Sequence, residues 1–290
     1  MNRALLWRAV WTLWAIAPVV AAAYHFGPGQ RHYQADRAAG VLARAEREQV
    51  DAMALQEAAY QSHLRALAAR AAAFGSDDPT LHDNAKQAGT EEHAAYTAAA
   101  TSWQRVADTL GGAEALIEDE DHSLRQRVRV SRGRALVRAG SVGSGAEVLE
   151  GLLEEFTAAG ASDPALERQV REELATAYYY GARLMRLAGR PAPEWKEISG
   201  RAAQQYRYLA EGARTRGQPA EALDQEKNVE LVLNLEQSSL DELFAKARPK
   251  DSPTGSGRIG TEPRPGARGR RRGERPGGGA GLDGEIGQGW

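Results

Sequence analysis

The stretch "LRQRVRVSRGRALVRAGSVGSGAEVLEGLLEEFTAAG", residues 124–160, reads as two helices joined by a short Gly/Ser turn. A turn that short returns the second helix antiparallel against the first. The glycines of "GSVGSGAE" would suit a phosphate loop only with a β-strand before them and a lysine after, so a helix–helix turn is the reading adopted.

Composition extends that reading along the chain. Alanine dominates the apolar residues, β-branched side chains are few, and Glu, Arg, Gln and Leu supply most of the rest, as in long packed helices. The expected fold class is all-α, and with the apolar start and the Gly/Arg tail set aside about 220 of the 290 residues can fold, enough for a real core. With no cysteine, disulfides, thiolate catalysis and Cys-ligated zinc or iron–sulfur sites are excluded. The redox compartment stays open.

Toward the N-terminus, "RHYQADRAAGVLARAEREQVDAMALQEAAYQSHLRALAARAAAF" (31–74) is helical, with Val50, Met53, Tyr60, Leu64, Leu67, Ala71 and Phe74 stepping at three and four residues. Such a stripe packs on downstream helices, or else forms a coiled-coil seam that makes a homodimer. "GSDDPT" (75–80) ends this helix, with Gly75 as a left-handed cap and Asp77-Asp78-Pro79 starting the next. That next helix runs through Tyr96 and Trp103 to Leu110 and is closed by Gly111-Gly112.

The first residues are uncharged from Ala9 to Tyr24, and the apolar span reaches from Ala4 to Phe26 if Arg8 and His25 snorkel. Trp7, Trp11 and Trp14 gather toward one end, and Pro18 is tolerable in a membrane helix. Residues 1–26 are therefore read as a transmembrane signal-anchor, crossing the bilayer through residues 4–26 with the body extracytoplasmic. Competing readings are a cleaved signal peptide with its site at Ala21-Ala22-Ala23 and a buried soluble helix.

Within 124–160, Gly133, Leu136 and Gly140 hold the spacing of a tetratricopeptide repeat's small residue, large residue and helix-ending glycine. Ala146, Leu149 and Leu153 fit its second helix if the turn gains one residue. "LATAYYYGARLMRLAGRPAPEWKEISGRAAQQYRYLAE" (174–211) is similar, with Ala177, Gly181, Met185 and Gly189 on one helix and Ala202, Tyr206 and Leu209 on the other. The region 113–247 thus resembles the tetratricopeptide repeat (TPR) family, although no regular 34-residue period runs through the chain. The resemblance implies an α-solenoid of antiparallel helix pairs with a concave face for a peptide or partner segment. Residues 27–112 are read as a long helix and helical hairpin. The last helix, from Pro219, places Leu233, Leu240 and Phe244 on one flank as a closing helix.

Chemistry-bearing motifs are scarce. His82, Asp83, Glu91, Glu92 and His93 offer nitrogen and oxygen ligands without zinc-site spacing, and "EDEDH" (118–122) lacks the alternation and glycine of a calcium loop and reads as an acidic helix cap. No nucleophile elbow, Walker loop or dinucleotide fingerprint occurs, so no catalytic, cofactor-binding or metal-ligating residue is assigned and the chain is read as a non-enzyme. Tyr178, Tyr179 and Tyr180 can line a groove with Arg183 and Arg186, but consecutive residues point around a helix, so at least one is core. Tyr178, Tyr179, Arg183 and Arg186 are the candidate partner-binding residues of the body.

From Arg248 onward the chain is rich in Gly, Pro and Arg and poor in large apolar residues, which predicts a disordered tail over 248–290. It carries nine basic and five acidic residues, hence +4, against −2 for the whole chain and so −6 for the remainder. Arg268, Arg270, Arg271, Arg272 and Arg275 are candidate polyanion contacts: nucleic acid if the body is cytoplasmic, anionic lipid or cell-wall polymer if it is outside. Ile286 and Trp290 read as a docking peptide. The functional expectation is a membrane-anchored scaffold of the bacterial envelope that binds partner proteins through its helical groove and tail. The alternatives are nucleic-acid binding through the Arg/Gly tail and an envelope carbohydrate hydrolase using an Asp/Glu pair.

Overall fold

A computed structural model describes residues 3–26, 28–118, 121–160 and 163–245. Among them the chain is all-α, with nine helices and no strand: α1 (Arg3–Phe26), α2 (Pro28–Ala73), α3 (Pro79–Glu114), α4 (His122–Ala139), α5 (Val142–Ala159), α6 (Pro164–Leu187), α7 (Ala192–Thr215), α8 (Pro219–Gln237) and α9 (Leu240–Ala245). Local chemistry sets the boundaries. Prolines open α2, α3, α6 and α8, where a missing N–H costs nothing. Asp78, Asp121 and Asp163 cap α3, α4 and α6 by accepting from Thr80, Leu124 and Ala165 N–H groups. Gly75, Gly140, Gly160, Gly189 and Gly217 take the positive φ that ends or follows a helix.

From α2 to α8 each helix packs on the next in sequence, giving antiparallel helix pairs in series; α4 also touches α6, and α9 returns to α6. This is the sequential packing of a helical solenoid. Helices α4 and α5 cross closely: a Cβ built on Gly133 would lie 2.8 Å from Leu149 Cγ, and one on Gly145 would lie 2.6 Å from Val137 Cγ2 and 2.8 Å from the Gly133 carbonyl oxygen. Gly145 meets the facing helix in the position read for Ala146, so the one-residue insertion expected in the turn is not needed.

The α2/α3 hairpin departs from the sequence reading. Its seam is built on alanine at every seventh position of α2, with Ala38, Ala45, Ala52, Ala59, Ala66 and Ala73 all buried; of the expected large-residue stripe Tyr60 is buried and Met53 packs on the core, while Val50 and Phe74 are 62% and 91% exposed. Opposite them α3 buries Ala99, Val106 and Ala113 at the same interval. A strict seven-residue repeat keeps a seam between two long helices, and alanine lets the backbones approach. Glu48 accepts from Thr109 (2.6 Å), Gln56 from Trp103 (2.7 Å), and His63 Nδ1 lies 2.6 Å from Glu92, which fixes the antiparallel register. Helix α3 does not stop at Gly111-Gly112 but runs to Glu114, with Leu110 and Ala113 buried and Arg132 lying against Gly111.

Two further corrections concern the ends. The transmembrane anchor, and with it the single-pass, extracytoplasmic placement, is overturned: among the described residues no helix is long and apolar enough to cross a membrane. As a helix, the uncharged run Ala9–Tyr24 extends only about 24 Å against a hydrocarbon core of ~30 Å, and the longer span depended on Arg8 and His25 snorkelling. Three tryptophans, a threonine and a tyrosine within or beside it lower its hydropathy further. Trp7, Trp11 and Trp14 are exposed and meet in series, tilted and then edge-on, along α1, which packs on the neighbouring α2. At the other end the closing helix breaks at Ser238 and Ser239 into α8 and α9. Leu231, Val232, Leu235 and Leu243 are buried there, while the expected Leu233 and Leu240 are 43% and 47% exposed. The expected disordered tail, with Arg268, Arg270, Arg271, Arg272, Arg275, Ile286 and Trp290, lies outside the described residues.

Candidate functional site

Helix spacing builds a groove from distant parts of the chain. Along α3, Gly89, Glu92, His93, Tyr96, Ala99, Ala100 and Trp103 recur at three and four residues and so share one face. Tyr180, Arg183, Leu184 and Leu187 do the same on α6, and the end of α4 brings Val137 and Arg138 between the two faces. Together with His63 and Arg70 of α2 and Leu243 of α9 they enclose a cavity of about 610 Å³. That size is in the range of ligand-binding clefts. The α3 face runs about 21 Å from Gly89 to Trp103 at ~1.5 Å per residue.

The walls combine aromatic and aliphatic surface with guanidinium groups. Arg138 lies over the Trp103 ring at 5.0 Å, a cation–π arrangement that places its charge at the groove. Arg183 is buried and donates through Nη2 to the Leu243 carbonyl (2.9 Å), tying α9 to the wall. Glu92 is the one carboxylate in the lining among the described residues. One of its oxygens meets His63 at 2.6 Å and the other accepts from Arg70 Nη2 at 2.7 Å, so this trio joins α2 to α3.

Of the body residues singled out by sequence, the groove takes in Arg183, with Tyr180 beside it. Tyr179 is core, in the cluster with Tyr206 and Leu231. Tyr178 faces α5 and donates to Glu150 (2.5 Å). Arg186 donates to the carbonyls of Leu235 and Ser238 and stacks on Trp195 at 4.9 Å, which secures the end of α8. Sequence reasoning missed Arg138, Tyr96, Leu184 and Leu187. The helical spacing along "EEHAAYTAAATSW" (91–103) was the available signal, since it aligns His93, Tyr96, Ala100 and Trp103. His82, of the weighed metal cluster, instead meets the Ser76 carbonyl at 2.7 Å, and no group of three or more His, Asp or Glu that could hold a metal ion occurs among the described residues.

The tyrosine run has a consequence for pH. Burial pushes the Tyr179 phenol up to about 12, against a smaller opposing effect of Arg183. Tyr178 is pushed up to about 12 by burial and then by Glu150, and Tyr180 well above the ordinary value by burial. Unfolded phenols ionise near ~10, so above that pH the folded state keeps protons that the unfolded state has lost. The stabilisation is complete below pH ~10 and is lost as pH rises toward the folded values near 12. Urea midpoints should therefore fall steeply between pH of about 10 and about 11, and Tyr179→Phe should flatten that fall.

No protein-family model, curated protein or solved structure matches this chain. The tetratricopeptide resemblance accordingly reduces to what the packing shares with such repeats, antiparallel helix pairs in sequence, and no helix among the described residues is long and apolar enough to be the anchor expected before them.

Proposed function

We propose that the chain is a non-catalytic helical-repeat scaffold that receives a segment of a partner protein in the groove between α3 and α6. The observation that carries this reading is the cavity lined by faces of α3 and α6, with tyrosine, tryptophan, leucine and arginine side chains. Such groups anchor protein interfaces through large area and guanidinium contacts. The α3 face that lines it runs about 21 Å, long enough to contact a polypeptide segment. Hydrolysis of a glycan needs two opposed carboxyl groups, whereas the groove lining supplies Glu92, already held by His63 and Arg70.

A displayed library of random peptides, panned against the full chain and against Leu184→Lys, tests the proposal. Leu184 is 44% exposed and lines the cavity, so a lysine there alters the groove without entering the core. Sequences enriched on the native chain and lost on the variant are expected. Enrichment unchanged by Leu184→Lys, or turnover of an offered substrate that depends on groove side chains, would overturn it.

A further inference from the structure

The chain itself supplies part of the groove wall through α9. Helix α8 stops at Ser238, whose backbone turns extended, and the chain returns so that the six residues "LDELFA" of α9 pack on α6. Two anchors hold it there. Leu243 is fully buried in the core cluster of Tyr179 and Ala182, and it lines the cavity together with Tyr180 and Leu187, which pack on the same cluster. Its carbonyl accepts from the buried Arg183 at 2.9 Å.

Beyond those anchors α9 is lightly held. Its six residues fall well short of the roughly 12–15 at which an isolated helix becomes even marginal in water. Its start is closed on itself by a capping box between two exposed residues: Ser239 N–H donates to Glu242 Oε2 (2.8 Å) and Glu242 N–H donates to Ser239 Oγ (3.2 Å). Leu240, about one turn before Leu243, is exposed. The chain just upstream is pinned instead, because Arg186 donates to the carbonyls of Leu235 and Ser238 and stacks on Trp195. A fixed pivot followed by a short helix anchored at one leucine can swing as a unit, with Ser238 and Ser239 absorbing the backbone change.

Resting on the reading of the groove as a protein-binding site, we infer that α9 is an autoinhibitory strap. In the free chain Leu243 fills part of the groove; a partner segment enters by placing an apolar side chain of its own against Tyr180 and Leu187, and α9 swings away about Ser238 and Ser239. Only the open fraction of the chain then receives the whole segment, so the apparent affinity is lowered by that fraction. A strap closed about nine-tenths of the time lowers it about tenfold.

The probe is the most enriched peptide of the displayed library, fluorescein-labelled and titrated by anisotropy against the full chain. Leu243→Ala, which withdraws the plug, should tighten binding about tenfold. Ser239→Ala combined with Glu242→Ala removes both capping bonds at exposed positions and should tighten it about threefold. A fixed wall predicts the opposite sign, so weaker or unchanged binding by Leu243→Ala overturns the strap. Should Leu243→Ala fail to fold, the capping variant decides alone, and affinity equal to or below that of the native chain overturns it. Hydrogen exchange gives a second reading on the unaltered chain: the Leu243 amide, which donates to the Ser239 carbonyl at 3.1 Å, should exchange faster once the peptide is bound. Slower or unchanged exchange there contradicts displacement. Loss of peptide binding in Leu184→Lys judges the groove separately: where it is seen, the groove reading survives a failed strap, and if no enriched peptide depends on Leu184, both fall.

Discussion

Gly145→Ala is expected to destabilise the fold by about 1–3 kcal/mol, the ordinary cost of overpacking, despite alanine's better helix propensity. The new methyl would sit 2.6 Å from Val137 Cγ2, 2.8 Å from the Gly133 carbonyl oxygen and 3.0 Å from the Val137 nitrogen. Two of those neighbours are backbone, so α4 and α5 must move apart and loosen the contacts around Leu149. Gly200→Ala is the control: it lies within α7 and nothing lies within 4 Å of its added Cβ. That change should stabilise by about 0.5–1 kcal/mol through helix propensity alone. Urea denaturation of the two variants measures both. A loss for Gly200→Ala as large as for Gly145→Ala would contradict the close-crossing account.

Glu173→Gln should cost about 3–5 kcal/mol, the penalty for leaving a buried charge without its counterion. Arg134 on α4 donates through Nε to Glu173 on α6 at 2.6 Å, and the two side chains are only 3% and 5% exposed. This pair joins the two helices that form the floor and one wall of the groove. The loss reflects the stranded Arg134 guanidinium rather than the net worth of the pair. Arg134→Met with Glu173→Leu should therefore recover most of the stability, since apolar replacement of a whole buried pair is often neutral or better. If the double variant is as unstable as Glu173→Gln, the ion pair contributes net stability and the desolvation argument fails here.

Much of the helical order was legible in residue chemistry. Asp78-Pro79, Gly140 and Gly189 mark helix ends because each satisfies a backbone requirement that the fold also imposes. Gly133 was readable as a close-contact residue, but its partner Gly145 was not, because a one-residue choice of turn length moves the contact from one side chain to the next. The alanine part of the α2/α3 seam escaped because alanine has little hydropathy contrast: a repeat of Ala38, Ala45 and Ala52 is weaker to the eye than the large residues, of which Tyr60 and Met53 do pack but Val50 and Phe74 do not. Apolarity near the N-terminus was legible, but not whether it sufficed to cross a bilayer, which turned on two flanking charged or titratable residues. The groove was least legible. Arg70, Trp103, Arg138 and Arg183 are separated by tens of residues and become neighbours only when α3, α4 and α6 pack.

The central claim is that binding occurs on the faces of α3 and α6, and hydrogen exchange of the full chain tests it most directly, with and without a peptide enriched from the displayed library at saturation. The expected footprint is slowed exchange in residues 89–103 and 180–187, with α5, α7 and the α1 helix unchanged. Slowed exchange confined to residues outside those two segments would contradict the account, because the peptide would then be bound elsewhere on the chain.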